Sequence, residues 1–438
     1  MSAALAGLSA LTLVACTSVS PTVAPASAAA AATAPAKAAT TASEIAAEAW
    51  AGARERAATN LLRTRFARVE RGDEAAWLAP LHPAGPPSMR TSQSAIFDRM
   101  TGMGVEDLRL VGVRETTPPV PAPPGTAVEW DVRASLTYRL RAFDSAPRTF
   151  DLDLTLKADP ARPSNLLITA TAPFGRPQPW DLPGLVVRRS DSALVLAVGD
   201  HDRVEEVVRR ARTAASRVAA VWGAARPAVW IAPATDTDAA RLLGRTADDL
   251  AGVAAATDGP LTPGVGAGAD RIVLVPGAWT SLRPEGRDVV MTHELTHLTV
   301  RASTTRAVPV WLSEGFAELV AYSPVDLPEA TIVAAALERV RASGLPRALP
   351  ADADFDPSTH ALPAAYGLSL LALRTLADAQ GTQAAVRLYR AAAGGLDVPT
   401  SRLDDREAAV DAALRASSRM TRAALVRDWQ ARIRELLR

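Results

Sequence analysis

Val289-Val290-Met291-Thr292-His293-Glu294-Leu295-Thr296-His297-Leu298 is the stretch on which the reading of this 438-residue chain turns. Its apolar residues flank a His-Glu-x-x-His core. On a helix, positions i and i+4 lie one above the other, so His293 and His297 can direct their rings at a single metal ion. Glu294 sits beside that ion without having to bind it, where it can take a proton from a water. Pro284 and Asp288 suit the start of this helix, the proline in the first turn and the carboxylate near the positive end of the dipole. The chain holds only 5 histidines. Two of them four apart with a glutamate between is therefore a specific signal.

The third ligand is expected downstream. After sixteen residues, 298 to 313, Glu314 stands within Val308-Pro309-Val310-Trp311-Leu312-Ser313-Glu314-Gly315-Phe316-Ala317-Glu318-Leu319. Pro309 predicts the first turn of a second helix, from which Glu314 projects toward the first. Glu318, one turn further on the same face, is placed to accept the outer N–H of a ligand histidine, fixing its tautomer. Gly315 costs roughly 1 kcal/mol in a helix relative to alanine. It is explained if the two helices approach closely at the metal. Trp311, Leu312, Phe316 and Leu319 read as core.

His-Glu-x-x-His followed by Trp-Leu-x-Glu-Gly-Phe-Ala-Glu resembles the gluzincin clan of metallopeptidases, and the peptidase MA-like lipoproteins of bacteria in particular. The resemblance implies one zinc ion on His293, His297 and Glu314, with Glu294 as general base and a peptide or protein as substrate. It spans about 190 to 435, though the sharp motifs occupy only 289 to 322. Two departures separate the chain from the aminopeptidase branch: a shorter spacing from His297 to Glu314, and no Gly-x-Met-Glu-Asn-like segment. A metzincin would need Gly at 300 and His at 303, where Val300 and Ser303 stand. The resemblance also implies a tyrosine after the metal helices that stabilises the oxyanion. Tyr366 is the candidate, against the alternative of an amphipathic tyrosine at a helix start. His360 is a weaker candidate for the same task. His82 and His201 read as surface residues, and 251 to 256 as an edge strand for substrate to lie against.

Around this motif, 185–438 reads as a zincin-like domain: a small sheet with the active-site helix, then a mostly helical lobe. The expected elements are a hairpin over Val187–Val198, an amphipathic helix over Asp202–Trp222, and strands at Ala228–Ala232 and Arg271–Val275. Upstream, 43–182 carries a helical pattern at Ile45, Ala49, Trp50, Ala53, Ala57, Leu61, Leu62 and Phe66. It resumes at Glu74–Leu81, and a helix follows around Thr91–Met100. Strands are expected at Leu108–Val113, Ala127–Leu140, Arg148–Leu156 and Leu166–Ala172, joined in part by a proline-rich loop at Pro118–Pro124. Helices followed by a curved antiparallel sheet resemble the NTF2-like cone, with Arg71–Leu81 similar to that family's second helix. This part shows no catalytic constellation and reads as a spacer or binding module. The expected class is α+β throughout.

Residues 3–15 form an apolar run too short to span a bilayer, ending in Leu13-Val14-Ala15-Cys16. This resembles a bacterial lipobox, which implies a signal peptide over 1–16, a lipid on Cys16 and anchorage at the extracytoplasmic face of the membrane. No Lys or Arg precedes the run, a departure from the pattern. The alternative is secretion, with cleavage after Ala26-Ser27-Ala28. Residues 17–42, almost entirely Ala, Thr, Ser, Pro and Val, read as a flexible tether. Cys16 is the sole cysteine, so the folded body is expected to have no disulfide and no thiolate site. The net charge of +1 and the absence of a basic cluster give no sign of a nucleic-acid partner. Against the enzyme stands one rival: a non-enzymatic surface binding lipoprotein whose metal site is structural or vestigial. Hydrolysis of an ester or cell-wall amide would use the same residues.

Overall fold

The computed structural model describes residues 42–116, 129–159, 162–259, 268–356, 361–394 and 403–438. The class is α+β. Two compact units meet in the sequence between Pro183 and Gly184. The leader, most of the tether, the Pro118–Pro124 loop and His360 lie outside the described residues. No helix among the described residues is long and apolar enough to cross a membrane.

The first unit begins with α1 (Ala42–Arg71), α2 (Glu74–Leu78) and α3 (Pro87–Met103). An antiparallel meander follows: β1 (Val105–Glu115), β2 (Glu129–Leu140), β3 (Arg148–Asp159) and β4 (Arg162–Phe174). Trp130, Val132, Ala134, Leu136, Tyr138 and Leu140 alternate inward along β2 and form the core face. The buried stripe of α1 is Arg54, Ala58, Leu62, Arg65, Phe66 and Val69, rotated from the apolar stripe expected through Ala57 and Leu61. Two arginines cause the shift, because each finds polar partners inside. Arg54 donates to both oxygens of Glu115, at 3.0 and 2.8 Å. Arg65 lies 3.6 Å from the Trp77 ring centre and donates to Trp77 O and Gln93 Oε1. Burial pushes its pKa down to about 9.

The second unit opens with the hairpin β5 (Leu185–Arg189) and β6 (Ala193–Val198). Helix α4 (His201–Trp222) then crosses over to β7 (Ala228–Ala232), parallel to β6. Val204, Val207, Val208, Ala211, Ala214, Val218 and Val221 are its buried stripe. After α5 (Asp236–Leu243) come β8 (Ala255–Asp258) and β9 (Arg271–Leu274). The sheet order is β5-β6-β7-β9-β8, with β9 parallel to β7 and β8 antiparallel at the edge. The edge strand thus covers 255–258 rather than 251–256, and Ala255, Ala256 and Thr257 are all buried.

Two further helices, α6 (Pro276–Ser281) and α7 (Pro284–Ala302), lead into the motif. Every residue of α7 from Val289 to Arg301 is buried, as befits a helix enclosed by α4, α8 and β8. Two of its buried hydroxyls are satisfied within the helix: Thr292 bonds Asp288 O and Thr296 bonds Thr292 O. Helix α8 (Val310–Tyr322) has Pro309 as its N-cap rather than in its first turn. Its first N–H groups need an acceptor, and Val310 N donates to the Asp352 carboxylate at 3.0 Å. The helical lobe completes the unit with α9 (Glu329–Ile332), α10 (Ala334–Ser343), α11 (Leu362–Gln380), α12 (Thr382–Gly394), α13 (Leu403–Ser418) and α14 (Arg422–Leu436).

Gly315 is explained by α11, not by α7. A Cβ placed on it would stand 2.7 Å from Ser369 O, a backbone atom that cannot rotate away. Gly315→Ala is therefore expected to force α8 and α11 apart. The expected destabilisation is about 1–3 kcal/mol, despite alanine's better helix propensity. Urea denaturation checks it, and a variant as stable as the parent would contradict the close approach.

Candidate metal centre

Helix α7 supplies two imidazoles and α8 one carboxylate. His293 Nε2 and His297 Nε2 lie 3.0 Å apart. Glu314 Oε2 is 3.2 Å from the first and 3.1 Å from the second. Donors bound tetrahedrally to zinc at about 2.0–2.1 Å stand roughly 3.3 Å from one another, so the triangle has the size that one such ion requires. All three groups are buried, and among the described residues they form the one His/Cys/Asp/Glu group with this compactness. The set can hold a metal ion. Two nitrogens and one oxygen suit a borderline cation, and among the described residues no fourth protein ligand joins them in that group.

The outer atoms of both rings are held as well. Glu318 Oε1 accepts from His293 Nδ1 at 2.9 Å, leaving Nε2 as the ligand atom. His297 Nδ1 lies 3.4 Å from Ser313 Oγ. Ser313 in turn hydrogen-bonds Tyr389 of α12, whose hydroxyl is pushed up to about 12, chiefly by burial. Ser313 and Tyr389 escape sequence reasoning: the serine is the unspecified position of Trp-Leu-x-Glu, and the tyrosine arrives from 92 residues beyond His297. Thr257 of β8 also goes unnoticed, yet its hydroxyl donates to Glu294 Oε2 at 2.6 Å.

Burial opposes a charged His293 ring, but the carboxylates of Glu314 and Glu318 overcome it and push the ring up to about 10. Burial likewise opposes a charged Glu314, and His297 and His293 bring it down to about 2. At neutral pH the metal-free ring therefore carries protons on both nitrogens, and the one on Nε2 must leave when a metal binds. Metal binding at pH 7 is expected to release at least one proton, and affinity to rise about tenfold per pH unit toward pH 9. Calorimetry in two buffers of different ionisation enthalpy counts the protons. A count of zero would contradict the charged ring.

Tyr366, at the start of α11, is brought to the centre. Its ring meets His293 edge-on with centroids 5.9 Å apart, and Phe355 packs against it at 5.8 Å. Trp311, Leu312, Phe316 and Leu319 are buried, with Phe316 packed edge-on against Trp222 and tilted against Tyr389. His201 is exposed at the start of α4, and His82 is half-buried, next to the bridge from Leu81 to Ile168 in the first unit. Cys16 and His360 fall outside the described residues.

Fold and site together define an α+β protein with a buried centre of two histidines and one glutamate, a further glutamate standing between the histidines. Comparison of the chain with protein-family models, with curated proteins and with solved structures returns no match.

Proposed function

We propose that this chain is a zinc-dependent peptidase of the gluzincin type. The observation that carries the reading is the three-donor triangle, with Glu294 on the same helix as its two histidines. Zinc held there would supply a Lewis acid and a water of lowered pKa. Glu294 accepts a proton from the attacking water and delivers it to the departing amine. Glu318 and Ser313 hold the two ligand rings in place, and Tyr366 donates to the developing oxyanion. A structural zinc site usually has four protein ligands, whereas the group found among the described residues has three.

A lipid on Cys16 and the 17–42 tether would hold this domain at the extracytoplasmic face of the membrane. The first unit, with three helices before a four-stranded meander, fits an NTF2-like cone acting as a spacer or binding module.

The test is cleavage of a peptide library by the purified protein carrying one equivalent of zinc, with products sequenced by mass spectrometry. Chelation should abolish cleavage and added zinc restore it. A fully loaded protein that cuts no peptide would sink the reading.

A further inference from the structure

We infer that Thr257 is the positioning residue that aims the general base. This rests on the peptidase reading above, and it assigns a task to a residue outside both metal helices. Thr257 is the third residue of β8, preceded by Ala255 and Ala256, which offer no polar atom beyond the backbone. Its hydroxyl donates to Glu294 Oε2 at 2.6 Å, at the short end of O–H···O bonds, and both residues are buried.

The choice of partner is informative. Several other buried hydroxyls of this unit bond the carbonyl four residues back in their own helix. Thr292, Thr296, Ser369 and Thr375 all do so, at 2.6–2.8 Å. Those bonds satisfy the hydroxyl and touch nothing else. Thr257 instead donates a hydrogen bond to a carboxylate 37 residues away, on the one side chain the chemistry asks to move a proton. Helix α7 fixes the Cα of Glu294, but three side-chain torsions still separate Cα from the carboxylate. A base works only when held within a fraction of an ångström of its proton's path. One oxygen pinned by β8 restricts the rotation of the carboxylate about those torsions.

Thr257→Val keeps the shape and removes the hydroxyl, whereas Thr257→Ser keeps the hydroxyl. With zinc loaded, Thr257→Val is expected to lower kcat by about 10–100-fold, part of the 10²–10⁴ that a positioned base supplies. KM, zinc affinity by chelator competition and Tm should stay near the parent's, and Thr257→Ser should restore kcat to within about threefold. Thr257→Ala serves the same comparison if the valine variant does not fold. A kcat within threefold of the parent in the variant lacking the hydroxyl overturns the inference. So does a loss that tracks zinc affinity or Tm, or one that serine does not rescue. A second readout needs neither metal nor turnover. The infrared difference between the metal-free parent and Glu294→Gln isolates the Glu294 carboxylate stretch. That band should shift in Thr257→Val and not in Thr257→Ser. If the loaded parent cleaves nothing, the peptidase reading fails, and the infrared arm alone decides whether Thr257 holds Glu294: an unmoved band rejects it.

Discussion

Glu294→Gln is expected to lower turnover by about 10²–10⁴-fold while the protein still binds one zinc ion. The substitution is close to isosteric, so the buried space at 294 stays filled and the helix is undisturbed. The glutamine carbonyl can still accept from the Thr257 hydroxyl, provided the amide orients its oxygen toward β8. Proton capture is what is lost. An amide cannot take a proton from water near neutral pH, so the nucleophile must form unaided. Because the three ligand atoms belong to His293, His297 and Glu314, zinc affinity should change little. The paired measurement is kcat on a cleaved peptide and zinc content by mass spectrometry. Undiminished kcat at full zinc occupancy would remove Glu294 from its role. A parallel loss of zinc would show that the side chain supports the metal instead.

The centre was legible to different depths, for physical reasons. Residues on one helix read directly, because 3.6-residue geometry fixes His293 against His297 and Glu314 against Glu318 whatever the rest of the chain does. That α7 and α8 meet is a tertiary fact, yet the triangle among His293, His297 and Glu314 closes as the spacing predicts. What stayed hidden came from elements brought in over long separations. Thr257 stands one residue beyond the edge strand expected over 251 to 256, and Tyr389 comes from a helix whose pattern shows only an apolar face. The Gly315 contact was assigned to the wrong partner because a sequence shows that a backbone must pass close, not which one. In the first unit, Arg54 and Arg65 turned the buried face of α1 by one position. A reading of apolar periodicity treats arginine as solvent-facing, and here each is buried with a partner too far along the chain to see. Helices α5 and α6 went unread because they are short and lie in a stretch dominated by turn residues.

Glu314→Gln separates the metal's demands from those of the empty site. The amide keeps the volume and one acceptor oxygen but is a poor metal ligand. Zinc affinity should therefore fall by more than the roughly 10–100-fold that losing an outer partner costs. The metal-free protein should suffer too, with a specific pH dependence. In the parent, His293 is raised to about 10, against burial, by Glu314 and Glu318. A raised histidine contributes stability that is fully present below its unfolded value near 6.5 and lost as pH climbs through about 10. Glu314, lowered to about 2, contributes stability that is present above its unfolded value near 4.5 and lost as pH falls toward 2. Glu314→Gln removes the carboxylate contribution outright and weakens the imidazole one, leaving a buried cationic ring with Glu318 as its remaining carboxylate. Breaking one partner of a buried pair costs about 3–5 kcal/mol, and a glutamine that still accepts a hydrogen bond should fall near 3. The deficit should be widest between about pH 4.5 and 6.5, where both contributions are complete, and should shrink toward pH 2 and toward pH 10. Urea denaturation of metal-free parent and variant across that range traces the curve. A deficit that does not change with pH would mean that Glu314 stabilises the empty site through packing and not through its charge.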